Sequence, residues 1–361
     1  MKITEVIGYA LSVPGKEYRW IDGLPGEGTT RDIFVLRVLA DTGLEGNCIW
    51  HHEGHIMTEI TKDVFKSVIG DDPLDREYIW QKIWFIDRIK YMPIHAQGCL
   101  DVALWDLGAK AAGLPLYKFI GAARDKIQAY ASTLSYSDPE TYRELSQDCM
   151  KRGYKAIKLH VTGDVRKDIE ICRLVRSTVG DKYTLMLDVN GKYNHQEALW
   201  VGRELEKLNF YWFEEPVRDY DMYGLKELRR KLNIPILTAE TSHGTYFDVA
   251  NQIRNRTADI IHTDWYLKAG ITGVMKTAHV CEANGITCQV HGPGLPNLHA
   301  AMCISNCEFY EQIVPEDMFH FLQLNEPTRP DQEGYVRPPS EPGLGMRVDW
   351  DQVEKYKVLE V

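Results

Sequence analysis

Asp188, Glu214, Glu240, Asp264 and His291 each stand at the end of a short apolar run, separated by 26, 26, 24 and 27 residues in this 361-residue chain. Such regular steps mean that the same structural unit recurs and delivers an ionisable side chain each time to the same rim. Three neighbouring carboxylates, Asp188, Glu214 and Glu240, would repel one another and raise one another's pKa unless a cation lay between them. Ligation by oxygen alone selects Mg²⁺, with Mn²⁺ as the second choice, over zinc. The competing reading makes these acids helix N-caps or solvated loop residues, but caps need no such registry. Glu215 follows Glu214 directly and by strand alternation points to the other side, whereas Asn190 shares the face of Asp188 and would reach substrate or metal-bound water.

Lys158 and His160 alternate across Leu159, so one strand aims both inward. Beside a divalent cation each would have a lowered pKa, which suits a general base near neutrality. Asp264 precedes His291 by one unit, and a carboxylate beside a histidine fixes its tautomer and raises its basicity. Glu311 closes the last run, where a protonated carboxyl could hydrogen-bond a developing enolate oxygen. His262, two residues before Asp264, reads as interior packing one layer deeper. Cys303 and Cys307 stand at i, i+4 as if on one helix face, but without a CxxC or a second pair they read as core thiols.

The elements that must position these groups follow from the apolar patterning. Residues 1–122 open with strand-like segments, Ile3 to Val13 and Asp32 to Leu39, then turn helical from Ile56 onward, with CLDVALWDLGAKAA (99–112) ended by Gly113 and Pro115. Beyond Ala123 come eight strand candidates: IQAYAS (127–132), AIKLH (156–160), TLMLDVN (184–190), FYWFEEP (210–216), PILTAE (235–240), DIIHTD (259–264), ITCQVHG (286–292) and EFYEQ (308–312). Amphipathic stretches such as Asp168 to Val179, Gln196 to Leu208 and Gly270 to Ala283 separate them. Eight βα units close most naturally into an α/β barrel, whose chemistry sits at the C-terminal ends of the strands. The expected domains are an α+β cap at 1–122, the barrel at 123–322 and a segment at 323–361 that returns to the cap.

Composition narrows the partner class. Lysine plus arginine number 42 against 52 acidic residues, a formal charge of −10, which argues against nucleic acid or an anionic membrane as the main partner and leaves small molecules. Eight scattered cysteines fit a reduced, cytoplasmic chain, and neither a signal sequence nor a run of about 18 apolar residues is present.

Taken together and in order, these residues resemble the enolase superfamily, specifically its mandelate racemase branch. The resemblance is carried by Leu100-Asp101-Val102-Ala103-Leu104-Trp105-Asp106 and Gly113-Leu114-Pro115, Lys158-Leu159-His160, Asp188-Val189-Asn190-Gly191, Phe213-Glu214-Glu215-Pro216, Ala239-Glu240, Gly270-Ile271-Thr272 and Pro342-Gly343-Leu344-Gly345. It implies a modified TIM barrel of (β/α)7β type with an α+β N-terminal capping domain completed by the C-terminal segment. It also implies Asp188, Glu214 and Glu240 as magnesium ligands, His291 with Asp264 as one acid/base arm, and Glu311 as the acid that stabilises an enolate. Lys158 and His160 occupy the places of a Lys-x-Lys pair, a departure at the second position, and Ala269 replaces a usual glycine. The shared chemistry is abstraction of the proton α to a carboxylate. For this chain dehydration of a sugar acid to a 2-keto-3-deoxy acid is expected, with racemisation, epimerisation or cycloisomerisation as alternatives and a metal-holding barrel without turnover as the reading from another class. Cap loops around residues 16–28 and 47–55 would line the pocket, offering Tyr18, Trp20, Trp50, His51 and His52 to sugar hydroxyls and faces. Family members are homo-oligomers, and the resemblance extends that expectation to this chain.

Overall fold

The structure, a computed structural model, describes residues 1–15, 30–314 and 320–361. Three antiparallel strands open it, β1 (Ile3–Pro14), β2 (Thr30–Ala40) and β3 (Glu45–Trp50). Their alternating apolar residues face a helical layer that includes Gly54–Asp63, Arg76–Lys90 and Ile94–Ala111. Helix Ile94–Ala111 buries side chains almost all round because it is wedged between the cap sheet and the barrel. Close approach to β3 requires Gly46, since a Cβ there would lie 1.9 Å from the Ala103 carbonyl oxygen.

Eight parallel strands follow: β4 (Ile127–Ser132), β5 (Ala156–His160), β6 (Thr184–Asp188), β7 (Phe213–Glu214), β8 (Ile236–Thr238), β9 (Ile260–Thr263), β10 (Thr287–Val290) and β11 (Phe309–Ile313). They pair in chain order, and β11 pairs back with β4 to close the barrel. One helix lies between each successive pair, which makes the architecture (β/α)7β. All eight sequence-read strands are present, and helices Val165–Val179, His195–Lys207 and Gly270–Ala283 match those read from amphipathic spacing. Cys303 and Cys307 differ from expectation: the helix before them ends at Ala301, so they share no helix face, and Cys307 is buried while Cys303 is partly so. Near the end of the chain β12 (Tyr335–Val336) pairs antiparallel with β4, and β13 (Lys357–Glu360) adds to the outer edge of β1. No helix among the described residues is long and apolar enough to cross a membrane.

Strand alternation organises the barrel interior. Tyr130, Ala156, Met186, Trp212, Leu237 and Ile260 form an apolar layer at the N-terminal end, against which Phe309 packs. Two residues further along the same strands come Lys158, Asp188, Glu214, His262 and Glu311, all buried. The first four barrel helices take their caps elsewhere: Asp138, Asp164, Asn194 and Asp221 accept the orphan backbone N–H groups. Asp188 and Glu214 are therefore free of that duty.

The cap docks on the barrel through buried polar groups. Asp101 accepts from the Thr272 backbone N–H at 2.9 Å and its hydroxyl at 2.6 Å, at the start of helix Gly270–Ala283. Trp80 donates its indole N–H to the Ala269 carbonyl at 2.8 Å, beside the left-handed φ of 60° that a glycine would hold more easily. Burial pushes the Asp101 carboxyl up to about 7, against the Thr272 hydrogen bonds and the Arg76 charge that favour ionisation. A folded-state pKa above the unfolded value stabilises the fold below the unfolded value and loses that contribution as pH rises through the folded one. Unfolding free energy is therefore expected to fall between pH 4 and 7 by on the order of 4 kcal/mol from this group, at 1.36 kcal/mol per unit. Urea titrations of Asp101→Asn should show that slope largely removed; an unchanged slope would assign it to another group.

Candidate active site

The interior layer opens into a cavity of about 440 Å³ between barrel and cap, lined from below by His160, Asn190, Glu215, Glu240, His291 and Glu311 and from the cap by Trp50, His51 and His52. Trp50 and His52 thus lie where the cap loop was expected to place them. Tyr18 and Trp20, the other expected substrate contacts, lie outside the described residues.

β5 places Lys158 and His160 inward, as alternation requires. Lys158 Nζ donates to Glu214 Oε1 and lies 2.9 Å from it and from Glu311 Oε1, with Asp188 Oδ2 at 3.5 Å. Burial alone would strip the lysine of its proton, but the charges of Glu214 and Glu311 hold its pKa well above the usual value. Among these groups the ammonium itself compensates the acids. The same charges act on Glu311. Although burial raises its pKa, Lys158 and His291 bring it well below the ordinary value, and the Gly292 N–H bonds Oε2 at 2.7 Å, so Glu311 is a carboxylate.

His160 pairs in register with Asp188, and its Nε2 is 2.8 Å from Asp188 Oδ2. Its Nδ1 is 2.6 Å from the Thr133 carbonyl oxygen, which can only accept, so Nδ1 carries a hydrogen. Asp188 also accepts from the Asn190 backbone N–H at 2.8 Å. Across the mouth, His291 Nδ1 lies 2.7 Å from Asp264 Oδ2 and Nε2 lies 3.2 Å from Glu240 Oε1. Burial lowers the His291 pKa, but Glu240 and Asp264 overcome it and raise the ring to about 10.

Glu215 departs from its sequence reading: its φ of 42° breaks strand alternation and turns its carboxylate into the same cavity as Glu240. Its pKa is driven well up, first by burial and then by Glu240, Asp219 and Asp188, and its Oε1 is buried without a hydrogen-bond partner. His262 is interior, as expected, but its neighbours are acids: Nδ1 lies 3.1 Å from Glu214 Oε1 and 3.8 Å from Glu240 Oε2. Alternation placed His262 on this face; only the register shows that the layer it enters is ionic.

Six carboxylates (Asp188, Glu214, Glu215, Glu240, Asp264 and Glu311) thus converge on Lys158 and three histidines, with buried Lys268 behind them bonded to the Ala239 and Glu240 carbonyls and an orphaned acid oxygen among them. That excess of buried negative charge fits a divalent cation. Glu214, Glu240 and His262 offer ligand atoms within 4.8 Å of one another, while Asp188 is turned to His160 and Lys158.

Comparison with known proteins gives the family. The family model for the enolase C-terminal domain-like fold matches residues 141–352, and that for the mandelate racemase/muconate lactonizing enzyme N-terminal domain matches residues 27–121. The chain belongs to the mandelate racemase branch of the enolase superfamily. It is 30% identical to an arabinonate dehydratase of Saccharolobus solfataricus over 84% of this chain and 83% of the relative. It is 29% identical to an L-Ala-D/L-Glu epimerase of Clostridium acetobutylicum over 79% of this chain and 80% of that one. Among solved structures, D-glucarate dehydratase of Agrobacterium tumefaciens complexed with magnesium superposes with a TM-score of 0.92 at 32% identity, covering 99% of this chain and 100% of the other. Relatives therefore include both lyases and isomerases, and the superfamily makes this chain an enzyme.

A ligand that binds only the folded state at a hundred times its Kd stabilises by about 2.7 kcal/mol. Saturating Mg²⁺ is expected to raise the melting temperature accordingly, and Glu240→Gln to abolish most of that rise while weakening Mg²⁺ affinity at least tenfold by calorimetry. Unchanged affinity would remove Glu240 from the ligand set.

Proposed function

We propose that the chain dehydrates a sugar acid to its 2-keto-3-deoxy acid, using Mg²⁺ held by Asp188, Glu214 and Glu240. The observation that carries this reading is the placement of two imidazoles, His160 on β5 and His291 after β10, in one cavity with the acid cluster between them. The bound cation would neutralise the substrate carboxylate and the charge that develops on it when the α-proton leaves. With Mg²⁺ held beside it, Asp188 would be balanced by the metal, leaving His160 Nε2 as the nitrogen that faces substrate while Nδ1 stays bonded to the Thr133 carbonyl.

His160 Nε2 then takes the α-proton, and the C–H electron pair moves into the carboxylate as it becomes an enolate. Lys158, buried beneath the cavity floor against Glu214 and Glu311, would supply a fixed positive group in a water-poor interior. The enolate pair returns to form the carbon–carbon double bond as the β C–O bond breaks. His291 Nε2 gives its proton to the departing hydroxyl, which leaves as water, and Asp264 stabilises the ring through Nδ1. The resulting enol tautomerises to the keto acid. Three further arguments support dehydration: the polar cavity floor, the acid well placed to protonate a leaving group, and sugar-acid dehydratases among the relatives. An epimerase is also among the relatives, and epimerisation would be a different outcome of the same proton abstraction in this cavity.

The reading is tested by incubating the protein with Mg²⁺ and arabinonate, gluconate and galactarate in D₂O, following α-proton exchange and product by NMR. Formation of a 2-keto-3-deoxy acid is expected. Exchange with inversion and no keto product would make it an isomerase, and no exchange with any acid across a broad library would count against turnover. His291→Asn should lower product formation at least 10³-fold while exchange through His160 persists; full activity in that variant would sink the assignment of His291.

A further inference from the structure

Tyr266 lies in the turn after β9, two residues beyond Asp264, and lines the cavity beside Trp50 and Glu240. Its oxygen is 2.8 Å from His291 Nδ1, the same nitrogen that faces Asp264 Oδ2 at 2.7 Å. One ring nitrogen carries at most one hydrogen. A carboxylate oxygen can only accept, so Nδ1 must be the donor to Asp264, and the Tyr266 oxygen meets that N–H as a second acceptor. The phenol hydrogen therefore points away from His291. The other Asp264 oxygen is already taken by the Leu267 N–H at 2.5 Å, and among the described residues Nδ1 is the hydrogen-bond partner given to the phenol oxygen.

The ring has little freedom to choose another orientation. It packs against Trp50 of the cap at 5.1 Å and against Trp265 at 5.5 Å between centroids. Gly292 lets the hydroxyl approach the backbone after β10, since a Cβ at that φ of 75° would sit 3.1 Å from the phenol oxygen. Tyr266 lines the cavity, and a hydrogen turned away from His291 can be donated there. Burial, followed by the charges of Asp264 and Glu240, drives the phenol pKa well up, so the group keeps its hydrogen.

We propose that Tyr266 is a substrate-contacting residue of the His291 arm: its oxygen shares His291 Nδ1 with Asp264, and its hydrogen is donated to a hydroxyl of a polyhydroxy acid in the cavity. This inference deepens the dehydration reading and rests on it. A donor fixed at His291 orients the hydroxyl that His291 protonates, and the contact between Tyr266 and Trp50 ties that orientation to the seating of the cap. The phenol thereby selects acids that carry a hydroxyl beyond the α-carbon, because an acid without one would leave a buried donor unpaired.

Tyr266→Phe removes the oxygen and keeps the ring against Trp50. With Mg²⁺ and whichever of arabinonate, gluconate or galactarate the unaltered protein converts fastest in D₂O, the variant should keep Mg²⁺ affinity within twofold. Its ratio of α-deuterated acid to product should rise at least tenfold, since proton abstraction by His160 continues while departure of the hydroxyl slows. A purely structural role would depress both together, so an unchanged ratio, or loss of exchange and product in parallel, overturns the proposal. Failure of the unaltered protein to exchange or convert any of the acids overturns the dehydration reading and this inference with it; conversion with an unaltered ratio in the variant overturns this inference alone.

Discussion

The gathering of more buried carboxylates than the barrel's own cations can balance is the constraint on which the rest of the site depends. Each acid is brought in by a strand end and cannot withdraw without breaking the sheet. Lys158 is held between Glu214 and Glu311, and its charge decides that Glu311 is ionised. Glu240 faces His291, but Glu215 gains no such relief, and the consequence is an acid whose proton affinity is raised and whose oxygen is orphaned. A site arranged in this way costs folding energy until a cation enters, and the same excess gives the cation its affinity.

The cap does more than cover this charge. It excludes water from one side of the cavity, which strengthens every interaction inside. It also fixes the mouth of the barrel: Asp101 and Trp80 hold the turn at Ala269 and the start of the following helix, one turn away from Asp264 and Tyr266. On the far side Asp106 accepts from the Asn47 and Leu344 backbone N–H groups, joining strand β3, which ends at Trp50, to the C-terminal segment. The rim that carries Asp264 and Tyr266, the cap strand and the chain end are therefore positioned through a shared set of buried acids.

Much of the site is legible in the sequence because a barrel converts linear spacing into angular position. Lys158, His160, Asp188, Glu214 and Asp264 could be placed from alternation and the repeat length, since each lies within a strand or next to its end. Glu215 and Tyr266 escaped for a common reason: they lie just past strand ends, where a left-handed φ or a turn replaces the period of two. His262 obeyed the alternation and lies in the interior, but its acid neighbours could not be read from the spacing. The interior changes from apolar to ionic between residues 260 and 262, a boundary that depends on how neighbouring strands are staggered.

The sequence by itself determined the fold class, the family and the set of strand-end groups, because hydrophobic period and residue order are local properties that a repeat carries in the open. Only the tertiary structure decided which oxygen faces which nitrogen. Whether Lys158 keeps its proton, whether Glu311 is an acid or a carboxylate, and which hydrogen Tyr266 is left free to give all depend on charges brought together from strands tens of residues apart. Those interactions grow as charges approach and as water is excluded, so they reach this strength only once the barrel has closed.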